Sequence, residues 1–163
     1  MTPLLALDLG TKTGFAYRTA LGVIHSGTWT LAKTKEIRDQ NGRELDCRYC
    51  RLAEKVRELV QTLGVEVVGF EDVEFSSYTA QTQLWASFRV AVWSAACSDP
   101  KLIIEAVPVG TLKKFATGHG NATKEMMASA LLRKHPEFFE GRKPDDNEVD
   151  ALHLLQYISN LNS

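Results

Sequence analysis

Three carboxylates stand against apolar runs that belong in a protein core. Asp8 interrupts Leu4 to Leu9, Glu71 ends the run from Val65 to Phe70, and Asp150 opens the run from Ala151 to Ile158. A buried, unpaired carboxylate is costly, and the remedies are a raised pKa, a cationic partner or a metal ion. Three such groups, from strand ends and a helix start, can converge on one spot. Oxygen-only donors favour Mg²⁺ or Mn²⁺, so these residues point to metal-dependent chemistry on a phosphate.

Each carboxylate has a plainer reading. Asp8 can cap the turn from Gly10 to Gly14, and Glu71 can be a surface residue at a strand end. Asp72 and Glu74 lie close to Glu71, but strand alternation sends Asp72 to the opposite face. Asp145 and Glu148 fit a capping box at a helix start. Asp150 lies beyond that first turn, beside the apolar face. Asn147 and Asp146 precede it by a helical turn and share its side, so one of them is expected to supply the next metal contact. His153 either supports the ligands or simply packs. Cys47 and Cys50 form a CxxC pair, but no second pair or suitably spaced histidine follows to complete a zinc site.

The elements that must position these groups follow from periodicity and turn chemistry. Leu4 to Leu9, Thr13 to Arg18 and Gly22 to Thr30 read as three strands joined by short turns. Lys33 to Arg43 reads as polar and mobile. Leu45 to Leu63 carries an apolar stripe (Leu52, Val56, Leu59, Leu63) and ends at Gly64. Val65 to Val73 and Leu102 to Val107 are strands. Helices are expected at Thr79 to Cys97, Val109 to Ala116, Thr123 to His135 and Asp146 to Leu161. Three leading strands make an antiparallel meander, and later crossovers add parallel strands. The expected fold is α/β: a five-stranded mixed sheet with helices on both faces, in one domain spanning 1–163.

The helix from Thr79 to Cys97 is apolar on more than one side. Leu84, Phe88, Ala91 and Ala95 mark one face, Trp85, Val92 and Ala96 another, with Trp93 besides. Covering a sheet needs only one stripe, so a second copy of the chain is expected on the other.

A chain of 163 residues with 44% hydrophobic composition suits one core that needs no disulfide or metal staple. Three cysteines without a signal-peptide pattern fit a reducing cytoplasm, and no apolar run is long enough for a membrane span. The net charge of −1 does not favour nucleic acid, but its distribution does. Eight basic residues against five acids lie between Lys33 and Arg57, and five against Glu125 alone between Thr111 and Lys134. Basic surface around a local acidic pocket suits a metal-dependent nuclease; the first cluster also reads as ordinary solvated helix surface.

The segments LLALDLGTKTGFAY, VEVVGFEDVEF, GTLKKFATGHGNATKEMM and DDNEVDALHLL, in this order, resemble the RuvC-type Holliday junction resolvases of the RNase H-like superfamily. The last is most similar to phage-type members. The resemblance implies Asp8, Glu71 and Asp150 as catalytic, metal-holding carboxylates, with Asp146 or Asn147 completing the set where the family usually has Asp or His. It implies two Mg²⁺ ions per site (Mn²⁺ substituting) and hydrolysis of DNA phosphodiesters by paired nicks in a four-way junction. It implies phosphate contacts from Lys12, Lys113, Lys114 and Lys124, with Lys124 also neutralising charge at the cut. Glu74 replaces a common aromatic, leaving Phe75 or Tyr78 to wedge the junction. The implied assembly is a homodimer in the cytoplasm of a bacterium or phage-infected cell.

Other readings compete. DLGTKTG also resembles the phosphate-binding hairpin of actin-like ATPases and sugar kinases, which need two such domains. It resembles YqgF-type proteins of the same fold that act on RNA. The substitution at Asn147 leaves room for a junction-binding protein that does not cut.

Overall fold

The computed structural model describes residues 1–39, 46–73, 79–96 and 99–162. Five strands form one sheet: β1 (Leu4–Asp8), β2 (Lys12–Arg18), β3 (Ile24–Thr30), β4 (Val67–Asp72) and β5 (Ile103–Pro108). Their order is β3-β2-β1-β4-β5. The β1–β2 and β2–β3 pairs are antiparallel, whereas β1–β4 and β4–β5 are parallel. The helices are α1 (Thr34–Asp39), α2 (Cys47–Leu63), α3 (Thr79–Ala96), α4 (Val109–Thr117), α5 (Lys124–Lys134) and α6 (Asp146–Leu161). The expected mixed sheet with helices on both faces is what the chain forms.

β1 is central and covered on both sides, which is why its sequence is an unbroken apolar run rather than an alternation. Leu4 and Ala6 face a core built with α4, α5 and α6, including Leu112, Leu131, Val149, Leu152 and Ile158. Leu5, Leu7 and Leu9 face a second core with Leu52 and Val56 of α2 and Phe88 and Val92 of α3. On the β2–β3 wing of that second face, Trp29, Phe15, Tyr17 and His25 stack on one another, and Lys55 lies over Trp29.

Several sequence expectations change. The segment from Lys33 is not simply a polar loop: Thr34–Asp39 is helical, with Glu36 accepting the Lys33 N–H at 2.7 Å and Arg51 Nη2 at 2.8 Å. Residues 40–43 of that expectation lie outside the described residues. Two cations of the first basic cluster are spent within the chain. Arg48 binds Asp46 and donates to Thr11 Oγ1 at 2.9 Å, and Arg51 donates to Leu31 O at 2.6 Å. On α3, Val92 and Ala96 belong to the buried side, while the exposed apolar residues are Val90 (64%) and Trp93 (50%). The helix does present a second apolar surface, but not the stripe that Trp85, Val92 and Ala96 suggested. Cys97, assigned to the end of this helix, lies outside the described residues.

α6 is seated close against the sheet by two glycines. A Cβ at Gly69 of β4 would lie 2.8 Å from Ile158 Cγ2, and one at Gly14 of β2 would lie 1.9 Å from Asn147 O. Only residues without a Cβ permit this approach. Hydrogen bonds fix the same end: Thr28 Oγ1 donates to Asp145 at 2.7 Å, and Ser26 Oγ donates to Glu148 at 2.6 Å.

Candidate active site

Side-chain alternation decides which groups meet. In β1, Asp8 has the parity of Leu4 and Ala6 and so faces α6; in β4, Glu71 has the parity of Val67 and Gly69 and faces α6 too. Leu7 pairs with Phe70 in parallel register, so Asp8 and Glu71 follow side by side at the strand ends. Asp150, one turn into α6, comes down onto the same place. One oxygen from each of Asp8, Glu71 and Asp150 lies within 4.8 Å of the others, and all three residues are half-buried. No other group of three or more His, Cys, Asp or Glu side chains among the described residues could hold an ion.

The electrostatics follow from this crowding. Burial pushes the Asp8 carboxyl well above the usual carboxylate range, and the charges of Glu71 and Asp150 push it further. Glu71 is also raised, by burial, with its hydrogen bond to Asp8 and the Lys113 charge acting the other way. Asp150 is pushed up to about 7 by burial and then by Glu71; Lys113 and Lys124 oppose this and Asp146 adds to it. Three buried acids that resist ionising together suit a cation as the missing partner. Oxygens within 4.8 Å of one another are close enough to share a divalent ion that would hold each at about 2.1 Å. The donors are all oxygen, which fits Mg²⁺ or Mn²⁺.

The other candidates fall around this trio. Asp146 is exposed and outside the carboxylate group; Lys124 Nζ donates to it at 3.0 Å. Asn147 is half-buried, its backbone against Gly14. Lys113 of α4 is half-buried and close enough to act on both Glu71 and Asp150. Lys114 and Lys12 are exposed, Lys12 near enough to Asp145 to lower its pKa, though that group's largest influence, burial, acts upward. Phe75 and Tyr78, and Glu74 with them, lie outside the described residues. Asp72 faces away from the trio, as alternation requires, and pairs with Arg89 of α3 at 3.2 Å.

One assignment is corrected, and the choice left open at His153 is resolved. Only half of the capping box forms: Asp145 accepts the Glu148 N–H at 3.0 Å, but the Glu148 side chain turns inward instead of back to Asp145. It is 2% exposed and accepts from Ser26 and from both Nη atoms of Arg142 at 2.5 and 2.6 Å. A buried carboxylate needs such partners, and a nearby arginine in a loop of polar residues was the one signal for it. His153 does not reach the carboxylates through any hydrogen bond. It is fully buried, its pKa lowered by burial, and its Nε2 donates to Met127 O at 3.0 Å, tying α6 to α5.

No protein-family model and no curated protein sequence matches the chain. Solved structures do. RuvC from Thermus thermophilus aligns with a TM-score of 0.70 at 17% identity, covering 99% of this chain and 97% of that one. The same protein in complex with a Holliday junction substrate aligns with a TM-score of 0.75 at 18% identity over the same shares. Ydc2, the yeast mitochondrial Holliday junction resolvase, aligns with a TM-score of 0.59 at 11% identity, covering 98% of this chain and 82% of that one. Neither protein is from a phage, so the phage-type likeness rests on the DDNEVDAL ending alone. The chain has the RuvC-type, RNase H-like fold over nearly its whole length.

Proposed function

We propose that the chain is a divalent-metal-dependent endonuclease that resolves four-way DNA junctions by paired symmetric nicks, with 1–163 acting as one nuclease domain. The observation that carries this reading is the convergence of Asp8, Glu71 and Asp150 within 4.8 Å on the strand ends of a fold shared with a junction-bound RuvC. Asp8, Glu71 and Asp150 hold two Mg²⁺ ions, or Mn²⁺ in their place, with Asp146 or Asn147 completing the set. When bound, such ions provide a nucleophile from water at neutral pH and stabilise charge on the leaving oxygen.

The cations then have separable tasks. Lys113, near two of the carboxylates, meets the scissile phosphate. Lys124 is paired with Asp146, but their side chains are 70% and 55% exposed, so the pair is weak and Lys124 exchanges readily onto a phosphate. Lys12 and Lys114 steer the flanking backbone, and Phe75 or Tyr78 wedges the junction open. Symmetric cuts in two strands require two sites related by a two-fold axis, which a homodimer provides. The exposed Val90 and Trp93 of α3 supply its apolar contact. No helix among the described residues is long and apolar enough to cross a membrane, and we place the activity in the cytoplasm of a bacterium or phage-infected cell.

The test is cleavage of a synthetic four-way junction and of its linear arms by wild type and Asp8→Asn. Wild type is expected to make paired nicks in the junction with Mg²⁺ or Mn²⁺ and to bind without cutting in Ca²⁺; Asp8→Asn is expected to bind and not cut. Equal cleavage by both proteins, or binding by wild type without cleavage in any metal, overturns the reading.

A further inference from the structure

Cys47 and Cys50 are thiols that the nuclease chemistry does not use. Cys47 is the first residue of α2 and Cys50 lies one turn on, so both stand on the same side of the helix, Cys47 half-buried and Cys50 exposed. Cβ atoms three residues apart on an α-helix lie about 5–6 Å from one another, whereas a disulfide needs about 3.5–4.5 Å. The helix opens on a tighter, 3₁₀-type bond: Tyr49 N–H donates to Asp46 O, three residues back, at 3.2 Å. Tightening of this kind eclipses side chains at i and i+3 and shortens the gap. Arg48 and Arg51 both interact electrostatically with the Cys47 sulfur, and cationic neighbours at a helix start are the setting of cysteines that exchange. Cys50 also lines a cavity of about 470 Å³ between α2 and α3, with Tyr49, Ala53, Ala86, Val90 and Ala91. Val90 is an exposed apolar residue of the face assigned to a second copy, so a copy seated there covers Cys50. Tyr49, between the two cysteines, stands edge-on to Phe88 of α3, ring centroids 5.6 Å apart. Drawing Cys47 and Cys50 together therefore moves both a wall of this groove and a ring packed on α3.

Resting on the homodimer reading, we propose that Cys47 and Cys50 form a redox-active dithiol whose oxidation by a small-molecule disulfide loosens the dimer. The exposed Cys50, as its thiolate, attacks one sulfur of glutathione disulfide, forming a mixed disulfide and expelling one glutathione thiolate. The Cys47 thiolate then attacks the Cys50 sulfur, the Cys47–Cys50 bond forms and the second glutathione thiolate leaves. The protein gives up two electrons and two protons, and one glutathione disulfide becomes two glutathiones. A bond closed within one helical turn is strained, and strained, exposed disulfides are the ones readily reduced again. The dithiol form keeps the groove that the second copy packs against. By linkage, the factor by which oxidation weakens the dimer is the factor by which dimerisation protects the pair, taken over both protomers.

The experiment treats the folded protein with glutathione disulfide, maps the product by mass spectrometry and measures the dimer dissociation constant by sedimentation equilibrium. Trypsin cuts after Arg48, between the two cysteines, so a Cys47–Cys50 disulfide holds two peptides together. Wild type is expected to yield this linked pair, to separate it again in dithiothreitol, and to dimerise about tenfold more weakly while oxidised. Cys47→Ser is expected to stop at a glutathione adduct on Cys50, and Cys50→Ser to keep its dimer constant under the same treatment. Absence of the linked pair, a lasting glutathione adduct in its place, or a linked pair with an unchanged dimer constant overturns the proposal and leaves the homodimer reading intact. Reduced wild type that stays monomeric at every concentration overturns the homodimer reading, and the coupling with it.

Discussion

Gly14→Ala tests whether the seating of α6 sets the geometry of the carboxylates. Gly14 lies opposite Asp8 in the β1–β2 register. The added Cβ would sit 1.9 Å from Asn147 O and 2.3 Å from Asn147 C, where ordinary contact begins at 3.4 Å. The obstacle is backbone, so no rotamer change relieves it, and the start of α6 must retreat by about 1.5 Å. That turn carries Asp146 and Asn147 and leads directly into Asp150. Ligands held at about 2.1 Å do not tolerate a shift of this size, and a misplacement of about 1 Å costs roughly 10²-fold in rate. Overpacking itself costs about 1–3 kcal/mol, a loss of roughly 3–10 °C in Tm for a chain of this size. The expected result is a folded protein by circular dichroism, with Mn²⁺ affinity reduced in titration calorimetry and single-turnover junction cleavage down at least about 100-fold. Wild-type Mn²⁺ affinity and cleavage rate in a folded Gly14→Ala protein would refute the argument that this contact positions Asp150.

Further outcomes follow from the same structure. Asp150 has a folded pKa raised from 3.8 to about 7, so the metal-free protein loses stability as pH rises from about 4 through about 7, by at most about 4 kcal/mol from this group; Asp8 and Glu71 act in the same direction. Saturating Mg²⁺ is expected to reverse that loss, with its stabilising effect growing as pH rises past 7, as thermal melts at several pH values with and without EDTA will show. Lys124→Ala is expected to leave Tm nearly unchanged, because its partner is exposed, but to reduce the slope of log binding constant against log salt by about one. Arg142→Met removes two hydrogen bonds from the buried Glu148 carboxylate and is expected to cost about 2 kcal/mol in urea unfolding, most of it recovered when Glu148→Gln is added. If the double variant is no more stable than Arg142→Met alone, the Arg142–Glu148 pair is not what holds this end of α6.

What was readable from the chain was the part governed by local pattern. Leu4, Ala6 and Asp8 alternate with Leu5 and Leu7, as Val67, Gly69 and Glu71 do with Val68 and Phe70, so the facing of both carboxylates followed from strand parity alone. Asp150 could be placed because its side of the helix runs into a clear apolar stripe. What was not readable depends on partners distant in sequence. Glu148 looked like a capping residue because its acceptor role toward Ser26 spans 122 residues. Arg48 and Arg51 looked like free surface charge because nothing local announces Thr11 or Leu31 as their partners. On α3, periodicity shows apolar stripes but not the rotation of the helix on the sheet, which buries Val92 and leaves Val90 and Trp93 exposed. Nothing in the sequence around Gly14 announces the Asn147 backbone that lies against it.

If Asp8, Glu71 and Asp150 together make a divalent-ion site, Mn²⁺ bound to the protein reports on it directly. Electron paramagnetic resonance titration of wild type, Asp8→Asn and Asp150→Asn measures how much Mn²⁺ each holds near neutral pH. Saturable binding of two ions by wild type is expected, lost or weakened at least about tenfold in either variant while both stay folded. Undiminished Mn²⁺ binding by folded Asp8→Asn and Asp150→Asn would contradict it.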